Sequence, residues 1–476
     1  MKMIRLTYLT AVLFVVSCES ALDEKVYSEL GSDALNSEEG ANAVLHSAYG
    51  EGSLLAMGLG GVGYYFTSTM PSGEAWNKGG NVEAQLNPLT NFTWDANLNY
   101  FNQCWSVPYE AIRDANLLIA GIPETDLEEG LKTNIVAEAT FIRGFSYALL
   151  YNWFGPVPLV TPETAGDYYP GRATDEAVRA FIENDLRAAA GQLPERQDDY
   201  GRATRGAALG ALCKFYLNTR QWEKTVEVAR EIIQLERPYE LLPDYNDVFR
   251  LDNEGNNELL WTFPRHALNG AQFINALSFP TDYPLAANQS VYAARTYFFD
   301  DFVDSYLETD RRKDLFVKEY TNTSGEHIQL FGSDKTLSLK YEFDPGASGP
   351  GMGNDIPVIR YSDILLSLAE ALNELHGPNQ ESVDLLNQVW QRANQDQAAP
   401  VTLGGFTKES LRARIYQERE WEFFSEAKRR EDQIRMGTFV SKAVARGKRA
   451  DAHHVVFPIP QTEISANPNL RQNEGY

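Results

Sequence analysis

Histidines, cysteines and carboxylates are the side chains of this sequence that could catalyse a reaction or bind a metal ion. None of them stands in a catalytic pattern, because the sequence has no HExxH zinc motif, no GxSxG nucleophile motif and no Walker-type phosphate loop. Of the six histidines only His453 and His454 are close in sequence. Adjacent strand residues point to opposite faces, so this pair is a poor metal clamp. We therefore expect no catalytic residue, no metal ion and no cofactor.

A run dense in both acids and bases extends over Glu418–Asp432. Two interpretations are open: an active site, or a helix whose charged side chains pair with each other. Residues four positions apart are neighbours on a helix surface. The second interpretation, which we favour, predicts the ion pairs Glu426–Arg430 and Glu431–Arg435.

The N-terminus has the pattern of a signal peptide that ends at a cysteine. Lys2 and Arg5 form a positive n-region, and the apolar run Leu6–Val16 is shorter than the about 20 apolar residues that span a bilayer. Ser17, a small residue, stands directly before Cys18, as in the bacterial lipobox, where the cysteine is acylated and becomes residue one. The first 17 residues are thus predicted to be a signal peptide and Cys18 a lipid anchor. The alternative is an ordinary signal peptide with an incidental cysteine.

Charge and cysteine content narrow the protein class further. The chain has 476 residues and a formal net charge of −24, which makes it a poor partner for nucleic acid and for anionic lipid headgroups.

Beyond Cys18 there are only Cys104 and Cys213, both in apolar helical patterns. They could form a disulfide in an oxidising compartment, but we favour two separate buried residues.

Helical periodicity, with apolar residues three or four positions apart, dominates most of the sequence. The segment Ala203–Glu236 reads as helix, turn, helix, and small residues such as Ala208 and Ala211 would let the two helices approach closely. This hairpin resembles a tetratricopeptide repeat, in which Trp222 opens the second helix. The predicted helices cover residues 39–49, 100–122, 131–154, 175–193, 207–218, 222–235, 362–375, 379–394 and 408–436.

Two regions lack helical periodicity. Residues Gly50–Asn99 and Pro238–Pro357 are rich in Gly, Asn, Pro and aromatic residues, so we predict irregular structure there. Short strand-like runs occur at Glu258–Phe263 and Thr336–Phe343. Together these patterns predict a mainly α fold with few short strands.

Four segments, spread over most of the chain, have sequences that are typical of one protein family. They are Glu138–Tyr147 running into Phe154–Leu159, then Ile359–Ala371, then Glu418–Gly437, and finally Phe457–Gln461 together with Asn467–Tyr476. In their order and spacing they resemble the SusD/RagB family of outer-membrane lipoproteins. The cysteine at position 18 belongs to the same pattern.

The resemblance implies one domain that follows the signal peptide and comprises residues 18–476. Its scaffold would be a set of tetratricopeptide-like helix pairs, and the irregular regions would pack on this scaffold and form the ligand site. The scaffold would comprise residues 39–49, 100–236 and 359–476, and the ligand side residues 50–99 and 238–357.

The resemblance also implies a function. A SusD-like protein binds oligo- or polysaccharide at the outer membrane without catalysis and delivers it to a SusC-like TonB-dependent transporter. RagB-type members take peptides instead, and a surface glycoside hydrolase or lyase is a third alternative. Glu19, Asp23 and Glu24, behind Cys18, resemble the surface-export signal of Bacteroidota lipoproteins.

Sugar recognition requires flat aromatic rings beside amide or charged groups, because a sugar ring has apolar faces and a polar rim. The glycine-rich loop Ser72–Asn81 contains both kinds of side chain, and two tyrosines flank the polar pair Asn288–Gln289. Each of these aromatic residues could equally belong to the core. The predicted ligand-binding residues are Trp76, Asn77, Lys78, Tyr65, Tyr283 and Tyr292.

Overall fold

Helices form the framework of the computed structural model, which describes residues 32–50, 62–164, 166–395 and 397–476. The predicted signal segment and the predicted acylation site Cys18 lie outside these residues. Among the described residues, no helix combines the length and the apolar character that crossing a membrane requires. The α-helices are α1 (Glu38–Tyr49), α2 (Val62–Ser72), α3 (Glu83–Asn91), α4 (Asn99–Gly121), α5 (Glu129–Phe154), α6 (Asp175–Gln192), α7 (Arg205–Asn218), α8 (Trp222–Ile233), α9 (Asp300–Asp304), α10 (Tyr361–His376), α11 (Gln380–Asn394), α12 (Lys408–Glu422), α13 (Arg429–Arg435), α14 (Phe439–Ala445) and α15 (Gln461–Ala466).

The predicted fold class, mainly α with few short strands, is confirmed. Local signals explain where the scaffold helices begin and end. Helix α5 ends at Phe154, because the next residue, Gly155, has a φ of 71°, which favours glycine, and Pro156 follows. Helices α6 and α7 begin after Thr174 and Thr204, and each threonine hydroxyl accepts the backbone N–H three residues further on.

The helices from α4 to α8 form one stack, in which each packs against the next. Gly144 lets α5 approach α6, since a Cβ atom there would lie 2.9 Å from the Cβ of Asp185. Arg143 then reaches across and donates two hydrogen bonds of 2.7 and 2.9 Å to Asp185. After α8 the chain leaves the stack for residues 238–357, and α10 returns to pack against α7 and α8. The predicted irregular middle is therefore an insertion between two neighbouring helices.

The strands in the described part of the chain form antiparallel pairs. Each pair contributes a short ribbon: β1 with β3, β2 with β8, β4 with β7 and β5 with β6. Their bounds are β1 (Ala75–Lys78), β2 (Leu259–Phe263), β3 (Arg295–Phe298), β4 (Phe316–Val317), β5 (Glu319–Thr321), β6 (His327–Gln329), β7 (Leu337–Ser338) and β8 (Ile356–Arg360).

The structure differs from the predicted elements in three places. The region Gly50–Asn99 contains α2, β1 and α3 rather than irregular structure only. The strand-like run Thr336–Phe343 contains a strand of only two residues, β7. The predicted helix Lys408–Met436 is two helices, because the chain turns between α12 and α13.

This turn, residues 423–428, is held by contacts from distant parts of the chain. Ser425 and Ala427 have φ values of 59° and 60°, a region that non-glycine residues rarely occupy unless neighbours hold them there. The backbone N–H of Ser425 donates to Glu74 (2.7 Å), and the carbonyl of Ala427 accepts from Ser68 (2.8 Å). The hydroxyl of Tyr341 donates to the carbonyl of Ser425. The 423–428 turn thus joins α2 and the insertion to the C-terminal helices.

Buried charge surrounds the same turn. One carboxylate oxygen of Glu422 accepts from Arg360 (3.0 Å) and Arg392 (2.5 Å), and the other accepts from Arg312 (3.0 Å). All four side chains are at most 4% exposed. Burial alone would raise the pKa of Glu422, but the three guanidinium groups hold that pKa well below its usual range. We call these four residues the Glu422 cluster.

The predicted ion pairs within this charged run are wrong. Glu426 binds Arg360, at the end of β8, and Lys340 of the insertion instead of Arg430. Glu431 forms its ion pair with Lys214 of α7. The break after α12 points these carboxylates toward other elements, so the run is a buried connection rather than a solvated helix face.

Both cysteines in the described region are buried and unpaired, which confirms the prediction of two separate buried residues. Cys104 lies in α4 and Cys213 in α7. Burial raises the pKa of Cys213 to about 12. A thiol with so high a pKa is protonated and chemically inert at neutral pH.

The Glu422 cluster predicts a large stability effect. Replacing Glu422 by Gln removes the charge that three buried guanidinium groups share, and breaking a buried pair typically costs about 3–5 kcal/mol. We expect a loss of that size in the free energy of unfolding, measured by denaturant titration at neutral pH. The control is Glu381→Gln, which removes an exposed pair with Arg230 and should cost at most about 1 kcal/mol. Equal unfolding midpoints for the two variants would contradict the assignment.

Candidate ligand-binding site

The ribbon of β1 and β3 places aromatic and cationic side chains on one face. In the antiparallel register Trp76 lies opposite Tyr297, and Lys78 lies opposite Arg295. Alternate residues of a strand share a face, so Trp76 and Lys78 point to the same side of β1. The burial pattern agrees, because Ala75 and Asn77 are buried while Trp76 is half-buried and Lys78 is exposed. Two segments about 220 residues apart in sequence therefore form one surface.

A small hydrophobic cluster, separate from the main core, supports this surface. Its buried members are Phe279, Tyr297, Leu330 and Leu337. Half-buried aromatic side chains pack against this cluster, and we call three of them the aromatic surface: Trp76, Tyr283 and Tyr320.

Ring contacts fix the aromatic surface on the cluster. The ring centroids of Trp76 and Tyr297 are 5.3 Å apart, and those of Tyr283 and Tyr320 are 5.1 Å apart. The indole N–H of Trp76 also donates to the carbonyl of Asp334 (2.7 Å). Rings held by packing and a hydrogen bond lose little freedom when a flat ligand stacks on them.

Polar groups lie beside these rings. The hydroxyl of Tyr320 donates to the carboxylate of Asp282 (2.9 Å). Burial raises the pKa of Tyr320, and the hydrogen bond and charge of Asp282 raise it further. Burial also raises the pKa of Tyr297, with Arg295 lowering it and Asp282 raising it. Two phenols, a carboxylate and a guanidinium are therefore within electrostatic reach of one another. The arrangement suits a ligand with an apolar face and a rim of hydrogen-bonding groups.

The four predicted residues of the N-terminal half occupy different environments. Trp76 belongs to the aromatic surface, and Lys78 is exposed beside it. Asn77 is only 2% exposed, and its side-chain amide donates to the carbonyl of Arg295 across the ribbon (2.9 Å). Tyr65 is 3% exposed and packs against Phe66 in the main core. Tyr65 and Asn77 are buried, so a ligand cannot contact them in this structure. Their side chains make contacts that stabilise the fold instead.

The two predicted tyrosines of the insertion are separated as well. Tyr283 belongs to the aromatic surface. Tyr292 is 38% exposed, and its ring contacts Phe273, which packs against the main core. The polar pair between them has a structural role, because the amides of Asn288 and Gln289 donate to carbonyls in the loop 344–347.

Sequence reasoning missed four residues of this site: Asp282, Arg295, Tyr297 and Tyr320. For two of them the sequence gives a weak strand signal, because Arg295 and Tyr297 occupy alternate positions in a short run of β-branched and aromatic residues. Nothing local indicates that this run pairs with the Trp76 loop. Within the described ranges, no group of three or more His, Cys, Asp or Glu side chains is placed to hold a metal ion.

Two family models match the two ends of the chain. One, described as the SusD family, matches residues 331–476, and the other, described as starch-binding associating with outer membrane, matches residues 21–217. The chain is thus similar to SusD-family proteins over both of these segments. The resemblance identified from the sequence segments is thereby confirmed.

SusD-family relatives and structures match most of the chain. A SusD-like protein of Formosa agariphila is 26% identical over an alignment of 424 positions, and this alignment covers 78% of this chain and 79% of the relative. The starch-binding protein SusD of Bacteroides thetaiotaomicron is 21% identical over 71% of this chain and 72% of the relative. The structure of surface glycan-binding protein A from Bacteroides thetaiotaomicron in complex with laminarihexaose has a TM-score of 0.77 at 19% identity. It covers 92% of this chain and 99% of its own, so the two proteins share the SusD fold.

Proposed function

We propose that this protein is a non-catalytic lipoprotein that captures glycans at the outer membrane. The observation that carries the proposal is the aromatic surface, with Asp282 and Arg295 beside it. Sugar rings stack their C–H faces on aromatic rings and hydrogen-bond through their hydroxyl groups. Half-buried rings on a packed cluster supply the first interaction, and the carboxylate, guanidinium and phenol groups supply the second.

The family supports a glycan as the ligand. One matching family model is described as starch-binding, one relative is named a starch-binding protein, and one structural neighbour was solved with laminarihexaose. Stacking on aromatic rings depends little on which neutral sugar is bound, so the proposal names the class and not one polysaccharide. Peptide capture, the RagB alternative, is tested by measuring peptide binding by the same protein in parallel.

The membrane attachment and the transporter partner complete the proposal. Acylation of Cys18 would tether the protein, since each buried CH₂ contributes about 0.8 kcal/mol and several chains hold firmly. A tethered binding protein could pass its glycan to a SusC-like TonB-dependent transporter in the same membrane. This part of the proposal is supported by the lipobox sequence before Cys18 and by the description of the family as associating with the outer membrane.

Replacing Trp76 by Ala tests the aromatic surface. Loss of one stacking ring should weaken binding by at least about tenfold. The readout is retention in native gels that contain starch, laminarin or another polysaccharide the wild-type protein binds. The melting temperature should stay nearly unchanged, because Trp76 is only half-buried. The control is Tyr168→Ala, which removes an exposed tyrosine far along the chain in the α5–α6 connection.

Unchanged retention of the Trp76 variant would refute the aromatic surface as the binding site. Retention of the wild-type protein by no polysaccharide, together with binding to peptides, would refute glycan capture. Shortening of a bound glycan during incubation would refute the non-catalytic role.

Replacing Cys18 by Ala tests the anchor. The variant should leave the membrane fraction and lose glycan uptake in cells, while the purified protein keeps its glycan affinity. Membrane fractionation and an uptake assay provide the two readouts. If uptake continues without the lipid, the proposed need for a tether in glycan delivery is wrong.

A further inference from the structure

An open groove of about 720 Å³ lies between α11 and the segment Tyr239–Pro243. Its lining shares no residue with the aromatic surface, the supporting small cluster or the β1–β3 ribbon. Ligand sites in proteins typically enclose about 300–1,000 Å³, so the groove is large enough for an oligosaccharide. Nothing in the proposed function uses it.

The apolar part of the groove consists of aromatic and aliphatic side chains that are only half-buried. Tyr239 and Tyr361 contribute their rings, with Leu241 and Leu242 beside them. Tyr239 is closely fitted, since a Cβ atom on Gly206 would lie 2.1 Å from its hydroxyl oxygen. Burial raises the pKa of Tyr361, so its hydroxyl remains protonated and can donate a hydrogen bond.

The polar part of the groove is a row of glutamines. Gln388, Gln391 and Gln395 line it at intervals of three and four residues along α11 and its C-cap, a spacing that places side chains on one helix face. None of the three amides has a hydrogen-bond partner within the described part of the chain. Each amide offers both donors and an acceptor.

A buried arginine forms part of the same lining. The side chain of Arg392 is 4% exposed and pairs with Glu258 and Glu422 through its terminal nitrogens. Its Nε–H has no partner among the described residues. This nitrogen is itself buried, so Arg392 forms part of the groove wall and offers no donor to a ligand. Glu258 and Glu422 neutralise the guanidinium charge, and the carboxylate of Glu240 also lines the groove. This negative charge disfavours an anionic glycan, so among glycans the groove favours uncharged ones.

We propose that this groove is a second oligosaccharide-binding site, specific for uncharged glycans. Free amides beside tyrosine rings match the hydroxyl rim and apolar face of a neutral sugar. The inference rests on the proposed function in one respect only, the choice of a glycan as ligand. Two sites on one protein would let a long polymer bind at both and would raise its overall affinity.

Isothermal titration calorimetry with neutral hexasaccharides of glucose and xylose separates the two sites. The Trp76→Ala protein should still bind one hexasaccharide at millimolar concentration. Adding Gln388→Ala and Gln391→Ala to that variant should weaken the remaining binding about tenfold, the effect of losing two hydrogen bonds. The matched control adds Gln380→Ala instead, a glutamine of the same helix whose amide donates to Asp384 outside the groove, and it should leave the binding unchanged.

The other outcomes decide between the sites. No binding by the Trp76→Ala protein, or equal binding with and without the two groove substitutions, would overturn the second site and leave the proposed function standing. Binding that depends on the groove glutamines but not on Trp76 would uphold the groove and overturn the aromatic surface. A groove that binds proline-rich or other neutral peptides and no hexasaccharide would overturn the glycan assignment.

Discussion

The carboxylate of Glu422, at the end of α12, is buried among guanidinium groups from three separate parts of the chain. Arg312 comes from a short 3₁₀ helix of the insertion, Arg360 from the end of β8, and Arg392 from α11. A buried charge is tolerated only when it is paired and hydrogen-bonded. The elements that carry these arginines must therefore meet at Glu422, which ties the insertion to the C-terminal helices.

The 423–428 turn next to Glu422 extends this constraint to the ligand side. Glu74, which accepts the N–H of Ser425, directly precedes β1 and stands two residues before Trp76. Lys340 of the insertion donates to Glu426 (2.5 Å) and to the carbonyl of Phe424, and its neighbour Leu339 packs against the small cluster. Both halves of the aromatic surface are thus attached to one buried turn, so the surface is formed before a ligand binds.

Local sequence signals predict the scaffold well and the ligand side poorly. Periodicity and caps locate the stacked helices because each depends on residues a few positions apart. The break after α12 has no such signal, since Glu426 leaves the helix to reach Arg360 and Lys340 from distant segments. Likewise, Trp76 can be suspected from its glycine-rich loop. Its partner Tyr297 becomes visible only through strand pairing between residues about 220 positions apart.

The most direct test of this account is a crystal structure of the protein with a neutral oligosaccharide that it retains. We expect a sugar ring stacked on Trp76 and in contact with Tyr283 or Tyr320, with its hydroxyl groups hydrogen-bonded to Asp282 or Arg295. The three guanidinium contacts of Glu422 should be the same with and without the sugar. A sugar bound without contact to the aromatic surface, or a rearranged Glu422 cluster, would contradict a preformed site held by buried ion pairs.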